Sequence, residues 1–193
     1  MSNLSLVELD CQNGVYLTDK QHDHNYLEAY DILFAPFRSK QINIFEVGYW
    51  YGGSCELWKL YFPNAFIKSI DVTIPLPRAN KRNLPYNLLA EFIPPRDRVQ
   101  LKIKNVKALN AEYFKDFPPD IAIDDGSHEI SDQVYFVNTV YPVLRKGGLL
   151  IVEDIQNVRM DVPKFKQLKI PFEVVDMRAK SGVGDSVFLL YRK

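Results

Sequence analysis

The sequence predicts an α/β fold: a seven-stranded, mostly parallel sheet with one antiparallel strand and helices on both faces. Three observations carry this. Seven short apolar runs recur along the 193 residues. Helix-like stretches separate most of them, which is the pattern of βαβ units. The last two runs are joined only by Arg178-Ala-Lys-Ser-Gly-Val-Gly-Asp185. A parallel crossover takes roughly a dozen residues or more, so these two strands are expected to be antiparallel.

Taken in order, residues 1–40 read as a helical lead-in, with a helix near 23–35. Its Tyr26, Tyr30, Phe34 and Phe37 stripe has helical spacing and reads as core. Ile42-Asn-Ile-Phe-Glu-Val47 is the first strand and ends at Gly48. Phe66–Val72, Val99–Ile103 and Ile121–Asp124 follow, the last entered through Pro118-Pro119. Leu149–Val152 is entered through Gly147-Gly148, and Phe172–Val175 and Ser186–Tyr191 complete the set. Further helices are expected near 53–61, 84–92, 131–144 and 161–168. The stretch 73–98 is rich in proline and arginine and reads either as a lid over the ligand edge of the sheet or as a surface connection with one helix.

Composition narrows the class. With 47% hydrophobic and 25% charged residues, the chain reads as one globular domain over 1–193. Lys+Arg and Asp+Glu are both 24, so the formal net charge is zero, and the basic footprint of a general nucleic-acid binder is missing. No apolar run reaches the ~18 residues of a membrane span. The N-terminal residues do not read as a signal peptide. The two cysteines, Cys11 and Cys55, form no CxxC, which excludes a zinc ribbon and a disulfide scaffold and points to a reducing, cytoplasmic setting.

Two constellations carry chemistry. The first is Glu46-Val-Gly-Tyr-Trp-Tyr-Gly-Gly-Ser54, which leaves a strand and opens a helix. Gly48 and Gly52 permit a tight turn and close approach of a ligand. The N–H groups of the helix start are free for an anionic group. The spacing is not the G-x-G-x-x-G of dinucleotide sites. Asp71 ends the second strand, where an acid can accept hydrogen bonds from ribose hydroxyls. The second constellation is Asp124-Asp-Gly-Ser-His128 with Glu153-Asp154, both at strand ends on the same sheet edge. Two carboxylates ~4 Å apart repel by about 4 kcal/mol at an effective dielectric near 20. Such a cluster must take up protons, pair with cations or bind a metal, and oxygen donors favour Mg²⁺, Mn²⁺ or Ca²⁺.

Here the sequence becomes specific. Glu46-Val-Gly-x-x-x-Gly-Gly-Ser54 followed by Ser69-Ile-Asp-Val72 resembles the first two motifs of class I S-adenosylmethionine (SAM) dependent methyltransferases. Their Rossmann-like sheet has its reversed strand at this place in the chain. Thr18-Asp-Lys20, then His24-x-Tyr26 and Tyr30, resembles the lead-in of one subgroup, the metal-dependent macrolide and sugar O-methyltransferases of mycinamicin type. The resemblance runs from about residue 18 to the C-terminus. It implies a cofactor set of Glu46, Gly48, Gly52, Ser54, Asp71, Asn105 and Asp124, in which Glu46 supports the loop near the SAM amino group, Gly48 lies under the cofactor and Asp71 holds the ribose. It further implies Mg²⁺ or another divalent ion on Asp125, Glu153 and Asp154, with His128 as general base. One departure stands out: the subgroup's Gly-Asp-Gln is replaced by Lys104-Asn105-Val106, which predicts weaker adenosine binding.

The implied reaction suits these residue types. An imidazole with a pKa near 6.5 cannot ionise an alcohol alone. A divalent cation lowers the pKa of a hydroxyl that it holds, and a base then takes the proton. The expected acceptor is a hydroxyl of a sugar or glycosylated small molecule, with no nucleic-acid or membrane partner. Its site is open or completed by the second subunit of a homo-oligomer. Alternatives are a catechol-type metal-dependent O-methyltransferase, which usually has Asp-Asn where Glu153-Asp154 stands, and a SAM- or nucleotide-binding module without catalysis. Asn83-Leu-Pro-Tyr86 is similar to the Asn-Pro-Pro-Tyr motif of amine methyltransferases but precedes the third strand, where that motif does not belong. His22 and His24 read as a solvated helix start, with His24 bordering the substrate.

Overall fold

The computed structural model describes residues 4–12, 15–73 and 94–193. The expected helix near 84–92, Asn83–Tyr86 and most of the 73–98 segment lie outside these described residues.

The lead-in is more articulated than one helix. Ser5 opens α1 (Leu6–Asp10) with a capping box to Glu8. β1 (Cys11–Gln12) and β2 (Val15–Tyr16) form a small antiparallel ribbon. Thr18 caps α2 (Asp19–His22) by accepting the Lys20 N–H. Asn25, at φ +57°, then turns the chain into α3 (Tyr26–Phe34). Asparagine tolerates that left-handed conformation, so a sequence that reads as one helix from residue 23 is broken there.

The main sheet comprises β3 (Asn43–Val47), β4 (Phe66–Asp71), β5 (Val99–Ile103), β6 (Ile121–Asp124), β7 (Leu149–Val152), β8 (Glu173–Asp176) and β9 (Val187–Arg192). Its order is β5-β4-β3-β6-β7-β9-β8. β3, β4, β5, β6 and β7 are parallel, and β9 runs antiparallel to both β7 and β8. The short linker after β8 therefore does what its length requires, using the one-turn helix α7 (Arg178–Ser181). The remaining helices are α4 (Gly53–Tyr61), α5 (Ile130–Val140) and α6 (Val158–Lys166). Between β5 and β6 two 3₁₀ turns, capped by Asn105 and Asn110, replace a helix.

Both faces of the sheet are buried, which is why its central strands read as unbroken apolar runs. Successive residues alternate between two cores. Ile44, Ile67, Ile121, Ile123, Ile151 and Phe188 meet α1, α3 and α4 on one face. Phe45, Ile70, Ala122, Leu150, Val152 and Leu189 meet α5 and α6 on the other. The lead-in thus forms a structural layer: Tyr26, Tyr30 and Phe34 pack with Trp58 and Phe188 at ring centroid distances of 4.9–6.2 Å. No helix among the described residues is long and apolar enough to cross a membrane.

Candidate active site

The chain passes from β3 to β4 on one side and later returns to place β6 on the other, so the sheet has its switch point between β3 and β6. Open α/β sheets bind ligands at the carboxyl end of that switch. Here the two expected constellations meet. Gly48, at φ +95°, lies so close to the loop after β6 that a Cβ on it would stand 1.9 Å from the carbonyl oxygen of Asp125. Only glycine fits.

A cavity of about 410 Å³ opens at this point, lined by Gly48, Asp71, Asn105, Asp124, Asp125 and His128 among others. At the end formed by the glycine loop, Asp71 Oδ2 accepts hydrogen bonds from the backbone N–H groups of Tyr49 and Trp50, each at 2.9 Å. Trp50 sits at φ +43°, a strained value for a tryptophan. The loop is thus held in shape by the acid expected to meet the ribose. Glu46 lies beneath, fully buried, with Oε2 accepting from Ser54 Oγ at 2.9 Å and Trp58 Nε1 at 3.0 Å. Burial pushes its carboxyl up to about 7 although Lys20 pulls it down. Gly52, at φ +90°, is the N-cap of α4, and Ser54 lines a small second cavity with Asp19 and Tyr49. Asn105 reaches the main cavity, but its side-chain oxygen caps Lys107 N at 2.8 Å. Asp124 is buried, and Oδ2 has no hydrogen-bond partner among the described residues. Burial, with Asp125 beside it, raises its carboxyl to about 7.

At the other end, strands β6 and β7 bring Asp125, His128, Glu153 and Asp154 together. One ligand atom each from Asp125, His128 and Asp154 lies within 4.8 Å of the others. His128 Nδ1 stands 3.7 Å from Asp154 Oδ2 and, although buried, has no hydrogen-bond partner among the described residues. His128 and Asp154 are both non-glycine residues in the left-handed region, at φ +57° and +54°. Such strain persists only where the surroundings enforce it and is common at functional sites. Asp154 is raised to about 6 by burial and by Asp125, against the pull of His24, Tyr26 and His128. A half-buried and a buried carboxylate with an imidazole, their ligand atoms within 4.8 Å of one another, make a donor set that fits a hard divalent ion.

Glu153 is placed differently. It is buried, and both carboxylate oxygens are already engaged: Oε2 accepts from Lys20 Nζ at 2.6 Å and Oε1 from the Tyr30 hydroxyl at 2.7 Å. Lys20 also reaches Asp125 Oδ2 at 2.6 Å and lies 3.7 Å from Glu46 Oε1. Burial opposes the charge on Lys20, but Asp125, Glu153 and Glu46 more than offset this and hold its pKa well above the ordinary lysine value. The Tyr26 hydroxyl donates to Asp154 Oδ1 at 2.7 Å, and His24 Nδ1 lies 3.1 Å from Ser186 Oγ and 3.5 Å from Asp154 Oδ1.

Sequence reasoning missed these roles. It took Tyr26 and Tyr30 as core; their rings are core, but their hydroxyls hold the acids. It took His24 as a solvated helix start, whereas the residue is partly buried against Asp154 and Ser186. Lys20 was noticed only inside a motif. The available signal was a Lys, His, Tyr, Tyr series of hydrogen-bond donors at 20, 24, 26 and 30, all able to serve a cluster of acids.

This sheet, with its reversed β9 and its glycine turn after β3, is the Rossmann-like class I methyltransferase fold. The chain superposes on MycE methyltransferase from the mycinamycin biosynthetic pathway, solved with Mg, SAH and mycinamycin VI, with a TM-score of 0.68 at 20% identity, over 98% of this chain and 54% of that one. No family model matches the sequence. The curated relatives are sugar and macrolide O-methyltransferases. The chain is 32% identical over 146 residues to 8-demethyl-8-alpha-L-rhamnosyl tetracenomycin-C 2'-O-methyltransferase of Streptomyces olivaceus, covering 72% of this chain and 35% of that protein. It is 28% identical over 145 residues to mycinamicin VI 2''-O-methyltransferase of Micromonospora griseorubida, covering 68% and 32%. The aligned part thus spans about a third of the length of these relatives.

Proposed function

We propose that this chain is a cytoplasmic, SAM-dependent O-methyltransferase that moves a methyl group to a hydroxyl of a sugar or glycosylated small molecule, with a divalent ion such as Mg²⁺ at the acid cluster. The observation that carries this reading is the single cleft with two unlike ends. A glycine loop and Asp71 line one end and Asp125 and His128 the other, with Asp154 behind them at a ligand-atom separation within 4.8 Å. The relatives, which act on rhamnosyl and mycinamicin hydroxyls by name, support the acceptor class.

In this reading the ribose lies against Asp71 and the adenine end near Asn105, whose amide nitrogen is the part left for a ligand. The methionyl end faces the loop between Gly48 and Gly52, with Ser54 at the start of α4. Glu46 keeps that loop in place through Ser54 and Trp58. Asp124 borders the cofactor. Asp125, Glu153 and Asp154 are the acids that would hold the ion, and Glu153 would share its oxygens with Lys20 and Tyr30. When bound, the ion acidifies and orients the acceptor hydroxyl. That oxygen attacks the methyl carbon in line with the sulfonium; the carbon–sulfur bond breaks and leaves the neutral thioether. His128 takes the hydroxyl proton, with Asp154 beside its ring to stabilise the imidazolium. His128 lines the cavity with its side chain 34% exposed, which suits a base that must return its proton to solvent.

The test is transfer itself. Purified protein with SAM and Mg²⁺ is offered a panel of glycosides and catechols, and products are read by mass. Methylated glycosides that vanish with EDTA support the proposal. Methylated catechols without methylated glycosides would replace it with the catechol-type reading, and SAM binding without any product would favour a binding module.

A further inference from the structure

Lys20 is the fully buried basic side chain among the described residues, and it sits where a cation is needed. Its ammonium group has three hydrogens and three acids around it: Asp125 and Glu153 at 2.6 Å each and Glu46 at 3.7 Å. These acids come from the ends of three neighbouring strands, β3, β6 and β7. The lysine stem is fixed from below. Thr18 caps α2 through the Lys20 N–H at 3.1 Å. The Leu17 carbonyl that precedes it is pressed on α4 so tightly that a Cβ on Gly53 would stand 1.7 Å away. The ammonium group therefore has little freedom to leave.

We infer that Lys20 is the resident counter-cation of the acid cluster, competing with the divalent ion for Asp125 and Glu153 and so setting how tightly that ion binds. The inference rests on the reading above, that the cluster takes a divalent ion. An isolated cluster of buried carboxylates repels itself and must be neutralised by something. Lys20 offsets one of these charges before any ion arrives, which helps the site stay assembled. The cost falls on ion binding: a fixed positive charge occupies one oxygen of Asp125 and one of Glu153 and repels the incoming ion. Asp154 pairs with Tyr26, His24 and His128 rather than with Lys20 and stays available. Lys20 is thus a positioning residue and touches no reacting atom.

Two substitutions test this in the intact protein. Lys20→Met keeps length and removes charge. Lys20→Gln removes charge but keeps an amide able to donate to Asp125 and Glu153, and it serves if the methionine variant fails to fold. Free Mn²⁺ is followed by electron paramagnetic resonance during titration, and thermal unfolding is followed in EDTA and in Mg²⁺. Both variants are expected to bind Mn²⁺ at least about tenfold more tightly than the wild type. They should melt lower in EDTA and gain more from Mg²⁺ than the wild type does. A packing role alone would lower melting equally in both solutions and leave Mn²⁺ affinity unmoved, and that result overturns the inference. Weaker Mn²⁺ binding in both variants also overturns it. Absence of Mn²⁺ binding in all three proteins would overturn the metal reading itself, and this inference with it.

Discussion

The two ends of the cleft are built by opposite means. At the glycine-loop end, Asp71 is partly exposed and accepts from backbone N–H groups of its neighbour Thr73 and of a loop about twenty residues away in the chain. At the acid end, Glu153 and Asp154 are buried and are satisfied by side chains more than a hundred residues away, on α2 and α3. The first end is a local motif that shapes its own loop. The second is assembled only when the lead-in docks on the sheet. The difference teaches that one end of this cleft is shaped by local backbone geometry, whereas the acids at the other are organised by tertiary packing.

The most severe way to break this contrast is to strike the point both ends share. Gly48→Ala forces a Cβ into the Asp125 carbonyl at a positive φ. It should cost upwards of about 3 kcal/mol of stability and impair both SAH and Mn²⁺ binding, as read by thermal melting and titration. Next in size, Asp154→Ala should lower methyl transfer by at least about 100-fold and weaken Mn²⁺ binding, while SAH affinity changes by less than about threefold. Loss of SAH binding as well would show that the ends are not separable. Asp71→Ala should do the converse: SAH binds about tenfold more weakly, and Mn²⁺ affinity stays put.

The smallest effect concerns the lead-in. Asp10 is buried, with Oδ1 accepting from Thr18 N at 3.0 Å and Oδ2 unpartnered among the described residues. Burial, against the pull of the Thr18 and Leu17 backbone, raises its pKa from 3.8 to about 7. Between about pH 4 and 7 the folded protein keeps a proton that the unfolded chain has released. Stability from this group therefore falls as pH rises through that window and is constant above it. Asp10→Asn mimics the protonated acid. Its melting temperature relative to wild type should rise between pH 5 and 7 and then level off. A difference that is flat across this range would remove Asp10 as the titrating group.

Much of the fold was legible because its causes are local. The apolar runs at 121–124 and 149–152 are strands buried on both faces, and the short linker after Asp176 could only reverse the chain. The helix expected near 23–35 is present but starts only at Tyr26, because Asn25 takes a left-handed backbone that periodicity does not register. The convergence of the acids was also legible, since strand ends of one parallel sheet share an edge. What was not legible is which carboxylate is free. Glu153 and Asp154 are adjacent in sequence, yet Tyr30 and Lys20 occupy the first while Tyr26 and two histidines flank the second. That allocation depends on where the lead-in lands. Asn105 is similar: its type permits ligand binding, but only the turn after β5 shows that its oxygen already serves as a cap.

The central claim is that one cleft holds a nucleoside cofactor and a divalent ion at separate ends. Calorimetric titration of ligand-free protein with SAH, in EDTA and again in saturating Mg²⁺, tests it most directly. The account predicts one-to-one SAH binding under both conditions, and a distinct Mg²⁺ heat in protein already saturated with SAH. Failure to bind SAH, or Mg²⁺ heat that disappears once SAH is bound, would contradict it.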